Sequence, residues 1–394
     1  MVVAPLLFAF AAGPAAAQAS DATNGPGGLQ GNQQIGDSSN NQQGDSANGP
    51  GVVYAMTNEL TGNRIQAYDR SSNGSLTPAG TFSTGGMGSG KFEGSQNSLI
   101  LRQNSRLLFA VNPGSNDISV LTTGPNGLTL VSKTPSGGMD PTSLTLHANL
   151  LYVLNAGGVP NISGFTVAGD GTLTPLAGST RPLTGTTAAA LPAEVGFDKS
   201  GSALVVTERN TGIIDTYTVG SDGLASGPLA NRSNGDEPFG FAFTTHGRNG
   251  QLIVTEAHRG LLDQGTVSSY TVAANGALQT ISASVHDFQS DTCWVVITNN
   301  QRYAYMANLA GGTVSSYTIA PDGTLTLLQS VAGVDGPPAS GSIDDALSAN
   351  SDFLYVRNIT EGTISVYAVQ ADGSLTPMQT VAGLPPSAIG IVAR

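Results

Sequence analysis

Two glutamates with basic neighbours are the residues in this sequence best suited to chemistry. Glu208 is followed directly by Arg209, and Glu256 is followed by His258 and Arg259. A carboxylate can act as the general base that activates water or a hydroxyl group, and an imidazole can relay the proton. Guanidinium groups can bind a substrate carboxylate and stabilise a developing oxyanion. We therefore predict that Glu256, Glu208 and His258 are catalytic and that Arg209 and Arg259 bind substrate.

Both glutamates occupy a position that is otherwise asparagine. The position follows an apolar run in seven places along the chain, and five of these places hold Asn58, Asn112, Asn155, Asn308 and Asn358. A short amide can bond backbone groups of the next loop, which explains the asparagines structurally. We keep Asn155 and Asn308 as candidate substrate-binding residues. A repeat rule broken in neighbouring copies often marks a functional site, and the alternative for the glutamates is a surface ion-pair cluster.

The elements that must position these residues are β-hairpins that recur along the chain. Residues 266–285 read TVSSYTVAANGALQTISASV, and residues 313–331 read TVSSYTIAPDGTLTLLQSV. Each stretch alternates apolar and polar residues, passes through Asn-Gly or Asp-Gly, and alternates again, which predicts two antiparallel strands joined by a tight turn. The turn occurs seven times, at Asn73-Gly74, Asn126-Gly127, Asp170-Gly171, Asp222-Gly223, Asn275-Gly276, Asp322-Gly323 and Asp372-Gly373.

Two further apolar runs precede each hairpin, so each repeat of 44 to 53 residues contains four predicted strands. One such sheet buries both of its faces only when neighbouring copies stack on it, as blades of a propeller do. The first repeat lacks its first strand, and SAIGIVAR at residues 387–394 is left over at the other end. We predict an all-β protein over residues 51–394. It is a seven-bladed β-propeller of four-stranded antiparallel blades, closed by pairing the C-terminal strand with the N-terminal blade.

The composition supports this fold class and limits the partners. The chain has 52 Gly and only 11% charged residues, which suits a turn-rich all-β protein. The net charge of −12 argues against nucleic acid as the main partner, because phosphate binding needs clustered Lys and Arg.

The N-terminal residues predict export. Residues 1–19 have an apolar core followed by small residues, as a signal peptide does, although the basic n-region is missing. The apolar run is too short to span a membrane. Residues 20–50 contain hardly any apolar side chain, so we expect a disordered polar linker. We expect a secreted monomer, either extracellular or periplasmic.

Loops before the predicted first strands carry further ionisable residues, namely Lys91, Glu93, Asp140, Asp236, Glu237, Asp291, Asp344 and Asp345. Oxygen ligands of this kind can bind a divalent cation. No compact Asp-x-Asp-x-Asp loop is present, so we predict no cofactor, with a divalent cation as the minor alternative. The single cysteine, Cys293, excludes an intrachain disulfide. We expect it to be a small buried residue, because a nucleophilic thiol needs a base and a lowered pKa.

The blade sequence resembles the seven-bladed β-propeller lactonase family, which includes bacterial 6-phosphogluconolactonases and fungal carboxymuconate-lactonising enzymes. The resemblance covers residues 52–394 and rests on TNEL at 57–60, on LLYVLN…NISGFTV…DGTLTPL at 150–176 and on FLYVRN…TISVYAV…DGSLTP at 353–377. It implies lactone chemistry with a Glu after a second strand, for which Glu208 and Glu256 are the counterparts. Thr142 stands where the family has a catalytic His, and Phe239 and Gly240 stand where it has Arg and His.

Two functions follow from these observations. The first is a secreted lactonase-like enzyme that hydrolyses or forms a lactone of a sugar acid or related carboxylate by general-base catalysis. The second is a non-catalytic extracellular propeller that binds a glycan, a peptide or a cell-surface partner. The residues that replace the family's His and Arg, and the polar leader, favour the second function.

Overall fold

The computed structural model describes residues 49–102, 106–337 and 340–394. The predicted signal-peptide-like segment at 1–19 lies outside the described residues, as does the predicted linker at 20–50 apart from its last two residues. Strands dominate the described chain, and two single 3₁₀ turns, Ala188–Ala190 and His258–Gly260, interrupt its loops. No helix in this part of the chain is long and apolar enough to cross a membrane.

The strands form seven antiparallel sheets that follow one another along the chain. Blade 1 contains β1 (Gly51–Met56), β2 (Arg64–Arg70) and β3 (Leu76–Ser83). Blade 2 contains β4 (Leu99–Arg102), β5 (Leu107–Asn112), β6 (Asp117–Gly124) and β7 (Gly127–Pro135). Blade 3 contains β8 (Met139–His147), β9 (Leu150–Gly157) and β10 (Asn161–Val167), with β11 (Leu173–Pro175) and β12 (Arg181–Pro182) both paired to β10. Blade 4 contains β13 (Pro192–Phe197), β14 (Ala203–Glu208), β15 (Ile213–Val219) and β16 (Ala225–Arg232).

The remaining blades repeat the same order of strands. Blade 5 contains β17 (Pro238–Phe243), β18 (Leu252–Glu256), β19 (Thr266–Val272) and β20 (Leu278–His286). Blade 6 contains β21 (Thr292–Ile297), β22 (Tyr303–Asn308), β23 (Thr313–Ile319) and β24 (Leu325–Val334). Blade 7 contains β25 (Ser342–Leu347), β26 (Phe353–Asn358), β27 (Thr363–Val369) and β28 (Leu375–Ala382). The last strand, β29 (Ile389–Ala393), pairs with β1 and supplies the first strand of blade 1.

The C-terminal strand closes the ring, as the sequence predicts. Ala55 pairs with Ile391 in the antiparallel register of β1 and β29. The two ends are also joined by backbone bonds, in which Arg394 N donates to Val52 O at 2.8 Å and Val52 N donates to Arg394 O at 3.1 Å. The protein is therefore a seven-bladed β-propeller with four-stranded blades, and the predicted fold is confirmed.

The seven predicted turns join the third and fourth strands of the blades. Their glycines have φ between 81° and 92°, a conformation that costs glycine little and other residues much more. The residue before the glycine stabilises the turn further, since Asp170 Oδ1 accepts a hydrogen bond from Thr172 N at 2.9 Å. The dipeptides therefore set the register of each outer hairpin.

Tyrosines join neighbouring blades. Tyr217, Tyr317 and Tyr367 on the third strands are fully buried, and each hydroxyl donates to a backbone carbonyl of the preceding blade or the loop that ends it. Tyr355 closes the ring in the same manner, because its hydroxyl donates to Gly74 O of blade 1 at 3.2 Å. The rings supply apolar area, and the hydroxyls are hydrogen-bonded, as buried phenols require.

Antiparallel strands place the functional candidates at one end of the ring. Loops from a second to a third strand and loops from a fourth strand to the next blade lie at the same end, because the chain reverses direction at every strand. We call this end the mouth face. It carries the starts of the inner strands and the ends of the second strands, as predicted from the sequence.

Candidate functional site

Glu208 lies inside blade 4. The residue is buried at the end of β14, its Oε1 accepts a bond from Gly185 N at 2.8 Å, and its Oε2 accepts a bond from the Thr211 hydroxyl at 2.7 Å. Asp215 on β15 lies next to it and accepts two bonds from Thr184, at 2.7 and 2.6 Å. Burial and the neighbouring Glu208 carboxyl raise the pKa of Asp215 to about 7. The pair shares a buried acidic environment within the blade.

Asp215→Asn is expected to change how stability depends on pH. The folded protein keeps a proton on Asp215 from about pH 4 to pH 7, whereas the unfolded chain releases it near pH 4. The native state thus binds more protons, so stability falls as pH rises through this window, by about 1.4 kcal/mol per pH unit for one proton. Removing the titrating group should reduce that slope by one proton. Chemical denaturation at pH 5 and pH 7 measures it, and equal slopes in both proteins would contradict the assignment.

Glu256 is held even more completely, inside blade 5. The residue is fully buried at the end of β18. Its Oε1 accepts bonds from Ser233 Oγ (3.1 Å), Gly235 N (2.8 Å) and Ser268 Oγ (2.6 Å), and its Oε2 accepts bonds from Thr266 Oγ1 (2.5 Å) and Ser284 Oγ (3.0 Å). Five donors leave the carboxylate well compensated for its burial.

His258 is connected to Glu256 through one hydroxyl. Its Nε2 lies 2.7 Å from Thr266 Oγ1, and that hydroxyl donates its proton to Glu256. Because a hydroxyl has one proton to give, the imidazole Nε2 must act as the donor to Thr266 in this arrangement. The predicted histidine and glutamate are therefore in one hydrogen-bonded chain.

Asn155 and Asn308 occupy the equivalent place in blades 3 and 6, and both are fully buried. The Asn155 amide donates to Asn161 Oδ1 at 3.0 Å, and the Asn308 amide lies 2.9 Å from Thr292 Oγ1 and 3.1 Å from Thr313 Oγ1. Glycines of the adjoining loops pack directly on these side chains, as Gly138 does on Asn155 and Gly235 does on Glu256. The position thus clamps the loop that enters each blade, whether it holds an amide or a carboxylate.

Arg209 leaves the blade and reaches the mouth of the central channel. Its guanidinium carbon lies 4.9 Å from the centroid of the Phe239 ring, and its Nε donates to Leu191 O at 3.2 Å. Phe239 packs in turn on Trp294, with ring centroids 4.8 Å apart. The backbone at Gly94 lies directly against the guanidinium. A cation on an aromatic face with one side near solvent is a common setting for anion or carbonyl recognition.

Two acids lie beside Arg209. Glu237 and Asp291 occupy equivalent places just before the inner strands β17 and β21, and both are half-buried. Burial raises the pKa of each carboxyl, and the positive charge of Arg209 opposes that rise in both. Both residues have positive φ, but Asp140 and Leu191 share it at their own blades, so this conformation belongs to the fold.

Arg259 bonds to two neighbouring acids, Glu237 and Asp236. Its backbone N donates to Glu237 Oε2 at 2.6 Å, and its Nε donates to Asp236 Oδ2 at 2.8 Å. A second ion-pair group lies at blades 2 and 3, where Lys91 Nζ is 3.5 Å from Glu93 and 4.0 Å from Asp140. We call Arg209, Glu237, Asp291 and Phe239 the mouth cluster.

The structure thus brings together a different set of groups from the predicted one. Arg209 and Arg259 lie at the mouth, while the Glu208 and Glu256 side chains point into their blades. Glu237 and Asp291 appeared in the sequence only as possible cation ligands, and their shared place before an inner strand is the pattern that could have singled them out. Within the described residues, no three His, Cys, Asp or Glu side chains are arranged to hold a metal ion.

Cys293 is a buried residue, as expected from the sequence. Its Sγ donates to Asp291 Oδ1 at 3.4 Å, and burial raises the pKa of the thiol well above its ordinary value. A protonated buried thiol is a poor nucleophile. The hydrogen bond from its Sγ helps to orient the Asp291 carboxyl.

The loop between blades 1 and 2 reaches the inner strands of blades 4 and 6 across the central channel. We call residues 93–97 the cross-channel segment. Gln96 N donates to Ala193 O of blade 4 at 3.2 Å, and the Gln96 side chain exchanges two bonds with the Val295 backbone of blade 6. Trp294 Nε1 also donates to Ser95 O at 2.8 Å. These bonds connect the loop before blade 2 to the inner strands of blades 4 and 6.

A family model matches part of the chain. Residues 244–346 match the family described as Lactonase, 7-bladed beta-propeller. The chain is a lactonase-like seven-bladed propeller, and the resemblance stated from the sequence is confirmed.

Solved structures support the same fold. The periplasmic gluconolactonase of Pseudomonas aeruginosa is similar at 16% identity and a TM-score of 0.66, covering 87% of this chain and 99% of its own. A proposed 6-phosphogluconolactonase from Bacteroides fragilis is similar at 18% identity and a TM-score of 0.65, covering 88% of this chain and 99% of its own. Comparison with curated proteins by sequence gives no match. At these identities the likeness concerns the fold.

Proposed function

We propose that the protein is a lactone hydrolase whose reaction takes place at the mouth cluster. Glu237 is the general base that removes a proton from water, and the resulting hydroxide adds to the lactone carbonyl carbon. Arg209 holds the carbonyl oxygen and stabilises the oxyanion that forms. The ring C–O bond then breaks, and the leaving alkoxide takes a proton from the protonated Glu237, which yields the hydroxy acid.

The observation that carries this proposal is the position of Arg209 over Phe239 and beside two half-buried carboxyls. A raised carboxyl pKa moves a base towards the pH at which it works best. Asp291 is the second acid of the cluster, and its charge further raises the pKa of Glu237.

A second assignment keeps the residues predicted from the sequence. Glu256 is then the base, and its proton leaves through Thr266 to His258 once both hydrogen bonds of the continuous chain have reversed, with Nε2 of His258 as the acceptor. Glu208 has no such connection to an imidazole in the described contacts. In this version the carboxylate must also give up part of its five-donor network.

The wider setting of the proposal rests on similarity and on the leader. The gluconolactonase and the proposed phosphogluconolactonase support a small lactone as the substrate class. The apolar segment at residues 1–19 supports export. A propeller that only binds a glycan, a peptide or a surface partner would be inert on every lactone, so the same assay separates the two functions.

Arg209→Ala is the direct test of the mouth cluster. We expect kcat/KM on aldonolactones and muconolactones to fall about 100-fold, because the group that stabilises the oxyanion is lost. Arg302→Ala is the matched control, since Arg302 lies 5.3 Å above Tyr303 in another blade and near no candidate site. Its activity should equal that of the wild type. Equal turnover by Arg209→Ala and wild type would overturn the assignment of Arg209.

A further inference from the structure

Three large apolar side chains stand exposed beside the mouth cluster. Leu261, Leu262 and Phe288 are 60%, 79% and 60% exposed. They belong to two neighbouring loops that are bonded to each other, since Asp263 N donates to Ser290 Oγ at 2.9 Å and Gly265 N donates to Gln289 O at 2.8 Å. We call the three side chains the apolar platform. Such exposed groups are commonly sites of binding when they are clustered.

The platform is continuous with the mouth cluster. Its first loop begins at Arg259, whose backbone amide bonds Glu237, and a Cβ on Gly260 would lie 3.8 Å from Asp291 Oδ2. The second loop ends at Ser290, the residue before Asp291. A molecule whose reacting carbonyl lies at Arg209 can therefore extend over these apolar side chains.

The charges at the mouth disfavour a phosphorylated substrate. Two cations near the mouth cluster are already paired with carboxylates, Lys91 with Glu93 and Arg259 with Asp236. Arg209, inside the cluster, is the group assigned to the carbonyl oxygen. A phosphate dianion placed here would face more acids than available cations, and like charges at short range oppose binding.

From this arrangement we infer that the substrate is a lactone with an apolar substituent and no phosphate, and that the apolar platform binds the substituent. The inference rests on the proposed function and deepens it. When an aliphatic chain lies on the platform, apolar surface of both the chain and the platform is removed from water. Each buried methylene contributes up to about 0.8 kcal/mol of binding free energy.

The test compares rates over a matched series of γ-lactones. With wild-type protein, kcat/KM should rise about tenfold from γ-butyrolactone to γ-undecanolactone, and 6-phosphoglucono-δ-lactone should react more slowly than glucono-δ-lactone. The variant Leu262→Ser/Phe288→Asn should lose most of the rise with chain length and keep its rate on γ-butyrolactone. Asn tolerates the positive φ of residue 288, so the variant should fold.

A control and three other outcomes complete the experiment. Val331→Ser removes a side chain that is 48% exposed on an outer strand of blade 6, and its chain-length dependence should match the wild type. An unchanged slope in the platform variant, or preferred turnover of the phosphorylated lactone, overturns this inference and leaves the proposed function standing. Binding to phosphatidylcholine vesicles that the variant loses, with the slope unchanged, would assign the platform to a membrane surface instead. Absence of turnover on every lactone refutes both proposals.

Discussion

Ile391→Asp is expected to prevent the protein from folding into a stable ring. Ile391 is 4% exposed and packs in the cluster that joins blades 7 and 1, with Val53 and Tyr355 among its members. A carboxylate there would be buried inside an apolar cluster, which costs more than most single substitutions do. The strand it belongs to also closes the ring by pairing with β1, and an open blade edge exposes unpaired backbone groups.

The expected loss is about 4 kcal/mol or more of unfolding free energy, or a failure to obtain soluble protein. Denaturant unfolding of the purified variants measures it. Val392→Thr is the matched control, because its side chain is half-buried on the other face of the same strand, and a loss of about 1 kcal/mol is expected. If Ile391→Asp unfolded within 1 kcal/mol of the wild type, the closing strand would contribute little to the ring.

Glu237→Gln is expected to reduce the catalytic rate, whereas Glu256→Gln is expected to reduce the stability of the fold. Glu237→Gln removes the proposed base from a half-buried loop position, so kcat/KM should fall about 100-fold with little change in stability. Glu256→Gln replaces one carboxylate oxygen with an amide NH₂ group, which is itself a donor, among five hydrogen-bond donors. The Gly235 backbone N–H is one of the five and cannot rotate away. The loss of bonds to a charged acceptor should cost about 3 kcal/mol of unfolding free energy.

Lactone kinetics and denaturant unfolding on the same preparations decide between the two carboxylates. A large rate loss in Glu256→Gln with unchanged stability would favour the chain through Thr266 and His258, and would remove Glu237 from the mechanism. Glu208→Gln serves as a further comparison, because it changes a carboxyl in the same place of blade 4. We expect it to behave like Glu256→Gln.

The fold could be predicted from the sequence because its determinants are local. Alternation of period two, the Asn-Gly and Asp-Gly turns and the repeat length fix four strands per blade, and the orphan strand at the C-terminus fixes the closure. Apart from the closure, which pairs the two ends of the chain, each of these features depends on residues close together in the sequence. The ring then follows from stacking identical units.

The site could not be predicted to the same extent, because it depends on where side chains at strand ends point. Glu208 and Arg209 are consecutive, so they face opposite sides, and the glutamate enters the blade while the arginine reaches the channel. Glutamate at an asparagine position suggested function, yet Ser268 and Thr266 on the next strand already supply donors for it. Phe239 and Trp294 come to Arg209 from two other blades, a meeting that no local pattern encodes.

The cross-channel segment bears on the route by which substrate and product would reach and leave the mouth cluster. Gln96 bonds to the inner strands of blades 4 and 6, so a molecule that moved along the axis of the ring past Gln96 would have to break these bonds. A product formed at Arg209 would then leave on the mouth face. The turnover rate would then depend on how quickly the product, a hydroxy acid anion, is released past Glu237 and Asp291. Their negative charge would hasten that exit.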